Sequence, residues 1–391
     1  MISAFGMNAS TLVSNTNTSI STEEGDGFGL AFLDFVTELA SRPVVPHVLS
    51  LSLGSLSAYS CDLLCSEAAK TGEVSLADCQ AYLQEQRQVC MFVSQDQVAR
   101  INHALMALGL RGVSVLGSSG DGGSHWSFGK FHGFGKIPRL LCVARALAVL
   151  TSESLARCVL LAARCSLLPA LTCPLLFARS SLRTPLCCVL TQIWRIADRL
   201  RRNKIGCEFM FPIYPSPSPY MISVGGTDWV GGDPSQPETW AGFGGGSGGG
   251  FSWQFPSPDH QKAAVRTYLQ TAADLPPSSS YNASGRAYPD ISAVAVDGTS
   301  QSSPVFAGIF TQIVDARLSK GLPPLGPLGP RIYRIATQFP GVAFEDVTKG
   351  NSKTSCQSGF AAAKGWDPTT GWGRPVWPGL LAHFGSDDSL H

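Results

Sequence analysis

Three consecutive stretches constrain the fold of this chain most: HVLSLSLG (47–54), SQDQVARINHALMALGL (94–110) and GVSVLGSSGD (112–121). The first alternates and closes on glycine, the third repeats that pattern, and the stretch between them reads as a helix. Strand, helix, strand of this length is a βαβ unit, and so a parallel sheet. The fold class expected is α/β. A further helix is expected over 28–41, where Phe28, Phe32, Phe35, Val36 and Leu39 recur at helical spacing.

Later in the chain, Tyr220 to Val224 and GRAYPDISAVAV (285–296) read as strands, and HQKAAVRTYLQTA (260–272) as a helix. GFGGGSGGGFS (242–252) reads as a loop of extreme flexibility. SPVFAGIFTQIVDARLSKG (303–321) is a patterned helix ended by Gly321, and LPPLGPLGPRIYRIA (322–336) a proline-rich turn into a short helix.

Bulk properties exclude some functions. The 391 residues include 44% hydrophobic and 15% charged residues, enough for a substantial core. A formal net charge of +1 gives no general attraction to nucleic acid or to an anionic membrane. No window supplies the ~18 uncharged apolar residues of a membrane span. The most apolar stretch, 138–195, is cut by Arg145, Arg157, Arg164, Arg179, Arg183 and prolines. MISAFGMNASTLVSN lacks a basic region followed by an apolar one, so no signal peptide is expected there. Asn8-Ala9-Ser10, Asn17-Thr18-Ser19 and Asn282-Ala283-Ser284 nevertheless form glycosylation acceptor triplets. Cys61, Cys65, Cys79 and Cys90 lack zinc-site spacing and are expected to form disulfides.

Residues 132–206 differ from the rest. Acids are almost absent, six of the twelve cysteines fall there, and the arginines lie on no consistent helical face. Buried and unpaired, those arginines would be costly. The segment is expected not to be a folded domain; a basic amphipathic arm is the alternative. Residues 1–131 and 207–391 are the flanking parts.

Four residues carry candidate chemistry. Ser300 precedes the helix expected at Ser303-Pro304, where exposed N–H groups favour developing negative charge; the plainer reading is an N-cap turn. Asp121 follows a predicted strand between glycines, at the sheet edge where α/β active sites sit. It could be a protonated acid that donates to an oxyanion, or a simple turn former. FEDVTKG (344–350) and AAAKGWDPTTGWG (361–373) bring Asp346 and Asp367 with turn carbonyls, an all-oxygen set suited to calcium. None of the seven histidines sits in a recognisable catalytic motif; His125, four residues after Asp121, reads as loop.

SGD (119–121), SVGGT (223–227), GGGFS (248–252), NASGRAYPD (282–290), GTSQSSPVF (298–306), DVT (346–348) and GWDPTTGWG (365–373) stand in the order found in the sedolisin family, which the chain resembles outside 132–206. The resemblance implies a subtilisin-like parallel sheet flanked by helices, with a C-terminal calcium-binding loop region. It implies serine-type peptide hydrolysis in acid, as an endopeptidase or an exopeptidase releasing tripeptides, in a lysosomal or extracellular setting. Ser300 would attack the peptide carbonyl and Asp121 would stabilise the oxyanion. One calcium ion would be held by Asp346, the Val347 carbonyl, the Gly365 carbonyl and Asp367, with Ala363 where members offer another glycine carbonyl. The partners implied are peptides or unfolded proteins.

Three departures qualify that expectation. The family's general base is a Glu oriented by an Asp four residues on, one helical turn away; no Glu here has an Asp at that spacing, and the chain starts after the helix that would bear them. The stretch from Ile291 to Asp297 is shorter than in the family, and residues 132–206 interrupt a run that is nearly continuous there. Hydrolysis is therefore expected to be impaired in this chain; the alternative is a pseudo-peptidase that binds peptides without cleaving them.

Overall fold

The computed structural model describes residues 27–70, 75–77, 79–80, 94–125, 208–242, 245–295, 297–353 and 356–387. The interrupting segment 132–206 and the triplets at Asn8 and Asn17 lie outside them.

A parallel sheet forms the centre. Strands β1 (Val48–Leu51), β2 (Ser114–Ser118), β3 (Ile222–Trp229) and β7 (Ile291–Val294) lie side by side in that order, all parallel. β4 (Pro237–Thr239) pairs antiparallel with the last residues of β3. As expected, β1 and β2 are joined through helical structure: α2 (Ala58–Lys70) and α3 (Gln95–Leu110). Ser94 caps α3, its Oγ accepting from Gln97 N–H at 3.0 Å.

Side chains alternate across the strands and so feed two cores. On one face Leu51 and Val115 pack with Phe32, Leu33 and Val36 of α1 (Gly27–Ser41) and with Val98, Ile101, Leu105 and Leu108 of α3. On the other, Leu116, Ile222, Val224, Ile291 and Ala293 meet Val305, Phe306, Phe310 and Ile313 of α5 (Thr299–Leu318). Helices on both faces of a parallel sheet bury its central strands. The expected α/β class is what the chain forms.

The second core continues into α4 (Asp259–Thr271), α6 (Gly329–Gln338) and α7 (Trp377–Phe384), through Val265, Ile332 and Leu380. Stretch 285–296 is two strands, not one: β6 (Gly285–Tyr288) pairs antiparallel with β5 (Gly250–Pro256), and Pro289-Asp290 separates it from β7. Asp290 is buried at that break. It forms an ion pair with Arg286 at 2.6 Å and accepts from Ser223 N–H, Gln261 Nε2 and Tyr333 OH. A buried carboxylate holds its charge only when paired and hydrogen-bonded in this way.

Cys65 and Cys79 form a disulfide (S–S 2.02 Å), and Cys61 and Cys356 each take part in a separate disulfide. Cys90 lies outside the described residues. Among the described residues, no helix is long and apolar enough to cross a membrane.

Candidate active site

The carboxyl ends of β1, β2 and β7 lead to Ser52, Asp121 and Ser300. α5 begins at Thr299, so Ser300 lies within its first turn and not ahead of it, and Pro304 is inside the helix. The proline was expected to mark the first turn. A proline inside a helix has no N–H for the carbonyl four residues back, which here is that of Ser300. That carbonyl instead accepts from Ser52 Oγ at 2.8 Å. A second tie from β1 lies one turn on, where Ser50 Oγ and Ser303 Oγ stand 3.0 Å apart. Ser300 is exposed, at the helix end whose unpaired N–H groups favour negative charge.

Asp121 is half-buried and held by the residue before Ser300. Thr299 N–H and Thr299 Oγ1 both donate to Asp121 Oδ1, at 2.8 and 2.9 Å, and Gly120 N–H donates to Thr299 Oγ1 at 3.0 Å. Oδ2 lies against Gly298, whose φ is 141°; a Cβ there would stand 2.8 Å from that oxygen. Glycine at 298 thus meets two demands at once: an unusual backbone angle and room for the carboxyl. With Oδ1 accepting twice, Oδ2 is the carboxyl oxygen turned toward Gly298. The structure brings Ser300 and Asp121 together through Thr299.

A serine hydroxyl and a carboxyl so placed can act on a carbonyl carbon. The hydroxyl oxygen adds when a base takes its proton, and a protonated carboxyl donates to the oxyanion that forms. His125 is buried in the loop after Asp121, its Nδ1 3.3 Å from the Phe209 carbonyl, which ties together the described segments on either side of 126–207.

Asp346 and Asp367 lie in the C-terminal loops. β8 (Phe344–Glu345) and β9 (Arg374–Pro375) pair, setting Asp346 beside the end of 361–373. Asp346 Oδ2 accepts from Gly365 N–H at 2.8 Å, while its Oδ1 is buried with no hydrogen-bond partner. Asp367 Oδ2 accepts from Ala363 N–H at 3.0 Å, and Oδ1 from the N–H groups of Thr369 and Thr370. Thr370 Oγ1 spans from Asp367 to the Val347 carbonyl, 3.2 Å from Oδ1 and 3.4 Å from the carbonyl oxygen. Burial pushes Asp346 above the usual carboxylate range and Asp367 up to about 7. Among the described residues no three His, Cys, Asp or Glu side chains group as metal ligands. An orphaned buried carboxylate oxygen, a second desolvated carboxylate and nearby turn carbonyls are, however, a donor set that a hard cation fits.

Residues 245–252 of the glycine run are packed and not the flexible loop that its composition suggests. Residues 246–250 are buried, and their glycines are explained by close approach: a Cβ on Gly248 would lie 2.3 Å from Ser119 O, and one on Gly249 1.9 Å from Pro368 O. Sequence reasoning also missed Ser52 and Thr299. Pro304 carried a signal for the first, since a helical proline four residues after Ser300 leaves a carbonyl that needs an outside donor.

The described part of the molecule is a parallel sheet with a helix-borne serine close to a strand-end aspartate, and over part of its length the chain is similar in sequence to a peptidase. Tripeptidyl-peptidase 1 of Bos taurus is 43% identical over 190 residues, covering 44% of this chain and 32% of that protein. The Canis lupus familiaris protein is 44% identical over 190 residues and the Homo sapiens protein 42% over 202, with the same shares covered. The chain thus spans about a third of the length of these curated relatives. No family model matches it. Pseudomonas sedolisin, a serine-carboxyl proteinase solved with two molecules of pseudo-iodotyrostatin, superposes with a TM-score of 0.49 at 19% identity, over 93% of this chain and 70% of that one, too distant a likeness to carry weight.

Proposed function

We propose that the protein derives from an acid-acting serine-carboxyl peptidase, an endopeptidase or tripeptidyl peptidase, and that these 391 residues hold the nucleophile and oxyanion side of its active site. The observation that carries this reading is the Ser300–Thr299–Asp121 cluster: a hydroxyl on a helix N-terminus, next to the residue that fixes a carboxyl by two hydrogen bonds. Acid is required because a carboxyl group donates to an oxyanion only while it carries its proton. Peptides or unfolded proteins are the substrates, and a lysosomal or extracellular compartment, with glycosylation at Asn282, suits both the acid and the disulfides.

Residues 1–131 and 207–391 make up the peptidase domain and 132–206 is foreign to it. The direct pairing of β2 with β3 and the contact of His125 with Phe209 support that division. One calcium ion would be held by Asp346, the Val347 and Gly365 carbonyls and Asp367, with the Ala363 carbonyl available. When bound it would neutralise the buried Asp367 and the half-buried Asp346 and join 346–347 to 363–367.

No Glu in this chain has an Asp four residues on. A serine nucleophile without its base keeps a residual acceleration of about 10³–10⁴ over water from oxyanion stabilisation and binding. The chain therefore binds peptides with little turnover, which is also how a pseudo-peptidase behaves. The test is peptide binding and hydrolysis in acid by the 391-residue protein and by Ser300→Ala. Binding with at most residual cleavage is expected. Efficient cleavage abolished by Ser300→Ala would overturn the impairment, and failure to bind any peptide would overturn the site.

A further inference from the structure

The buried glycine run lies between the two halves of the site. Gly246 N–H donates to Asp121 O at 3.2 Å, Gly248 N–H to Gly120 O at 2.7 Å, and Gly123 N–H to Gly246 O at 3.1 Å. These three bonds fix the backbone around Asp121 to 246–248. On the opposite side the fully buried Ser247 Oγ donates to Thr369 O at 2.7 Å and accepts from Gly226 N–H at 2.9 Å. Thr369 in turn gives its N–H and Oγ1–H to Asp367 Oδ1, at 2.9 and 2.7 Å. The close approaches at Gly248 and Gly249 leave this layer no slack.

We propose that Ser247 is a positioning residue: through it the loop around Asp367 holds the Asp121 backbone in register with Ser300. The inference rests on the reading that 346–367 takes a hard divalent cation. The path runs from Asp367 through Thr369, Ser247 and Gly246 to Asp121, and every link is a hydrogen bond or a peptide bond. A cation that fixes Asp367 fixes the Thr369 carbonyl, and with it the glycine layer. Between Thr369 and Asp121 the one side chain in the path is Ser247; the rest is backbone. Ser247 is therefore where the path can be cut without altering a cation ligand or an atom placed to react. Coupling of this kind is a free energy shared by both sites, typically worth a factor of about 5–150 in binding.

The experiment is backbone amide hydrogen exchange on the full 391-residue chain, with and without calcium chloride, for the wild type and Ser247→Ala. In the wild type, calcium is expected to slow exchange across 363–371 and, by about fivefold or more, at 119–123 and 246–248. In Ser247→Ala the protection of 363–371 remains and the gain at 119–123 is lost. A merely structural serine would change exchange equally with and without calcium. The proposal is overturned if wild-type protection stops at the loop, or if Ser247→Ala keeps the full gain at 119–123. Calcium that protects no amide of 363–371 in the wild type overturns the cation site and this inference together, whereas protection confined to the loop overturns this inference alone. The wild-type comparison does not depend on the variant folding.

Discussion

Ser300 illustrates how one residue's neighbours decide its use. Pro304 strips its carbonyl of an intrahelical donor, Ser52 replaces that donor, and Thr299 turns from the same helix end to grip Asp121. Ser52→Ala is expected to lower stability by about 0.5–1.5 kcal/mol, the worth of one hydrogen bond, measured by urea unfolding. An unchanged midpoint would mean that water serves the Ser300 carbonyl as well. Gly298→Ala meets a sterner penalty, because the new methyl group has both a disfavoured φ and the Asp121 carboxyl to contend with. A loss of more than about 1 kcal/mol is expected, together with weaker binding of peptide aldehydes; a variant as stable as the parent would place the carboxyl elsewhere. The places of Ser300 at a helix N-terminus and of Asp121 between glycines after a strand were legible in the sequence. Ser52 and Ser247 were not, since each serves a backbone group that only the tertiary approach of another segment brings near.

The elements divide the same way. The helices over 27–41, 95–110 and 259–271 follow from apolar spacing, which local sequence carries. Local pattern sets the start of α5 four residues late because Pro304 reads as a first-turn proline, whereas in the fold Pro304 lies inside the helix and Ser52 supplies the donor that its ring lacks. The run 242–252 misleads more deeply: glycine content signals a missing Cβ, and whether that serves freedom or close packing depends on what lies across from it. On α2, Cys65 is joined to Cys79 across a separation of 14 residues. Replacing both by alanine is expected to cost about 2–5 kcal/mol, chiefly by releasing the unfolded chain. A midpoint under denaturant that does not move would show that the bond constrains nothing the fold lacks.

At the scale of the whole molecule, one sheet with helices on both faces sets the ends of β1, β2 and β7 along one edge, with β3 between the last two, and the candidate site is built from the loops and the helix that leave those ends. The second core has a consequence for pH. Desolvation holds His260 below the usual imidazole range, outweighing the attraction of the Asp290 carboxylate. The unfolded chain then takes up a proton at this histidine before the folded chain does. The stability this neutral histidine contributes is complete above the unfolded value of about 6.5 and is lost as pH falls through the lower folded one. His260→Gln should therefore melt with a smaller drop between about pH 7 and pH 5 than the parent; an equal drop would assign the acid sensitivity to other groups.

The pairing of Ser300 with Asp121 is tested most directly by adding a peptide aldehyde, carbon-13 labelled at its carbonyl, to the chain in acid and recording the carbon spectrum. The account predicts a hemiacetal resonance: Ser300 Oγ bonds to the aldehyde carbon, its proton passes to the carbonyl oxygen, and Asp121 donates to that oxygen. The signal should vanish in Ser300→Ala and weaken in Asp121→Ala. A hemiacetal that persists in Ser300→Ala, or none at all with a folded, peptide-binding chain, would contradict the account.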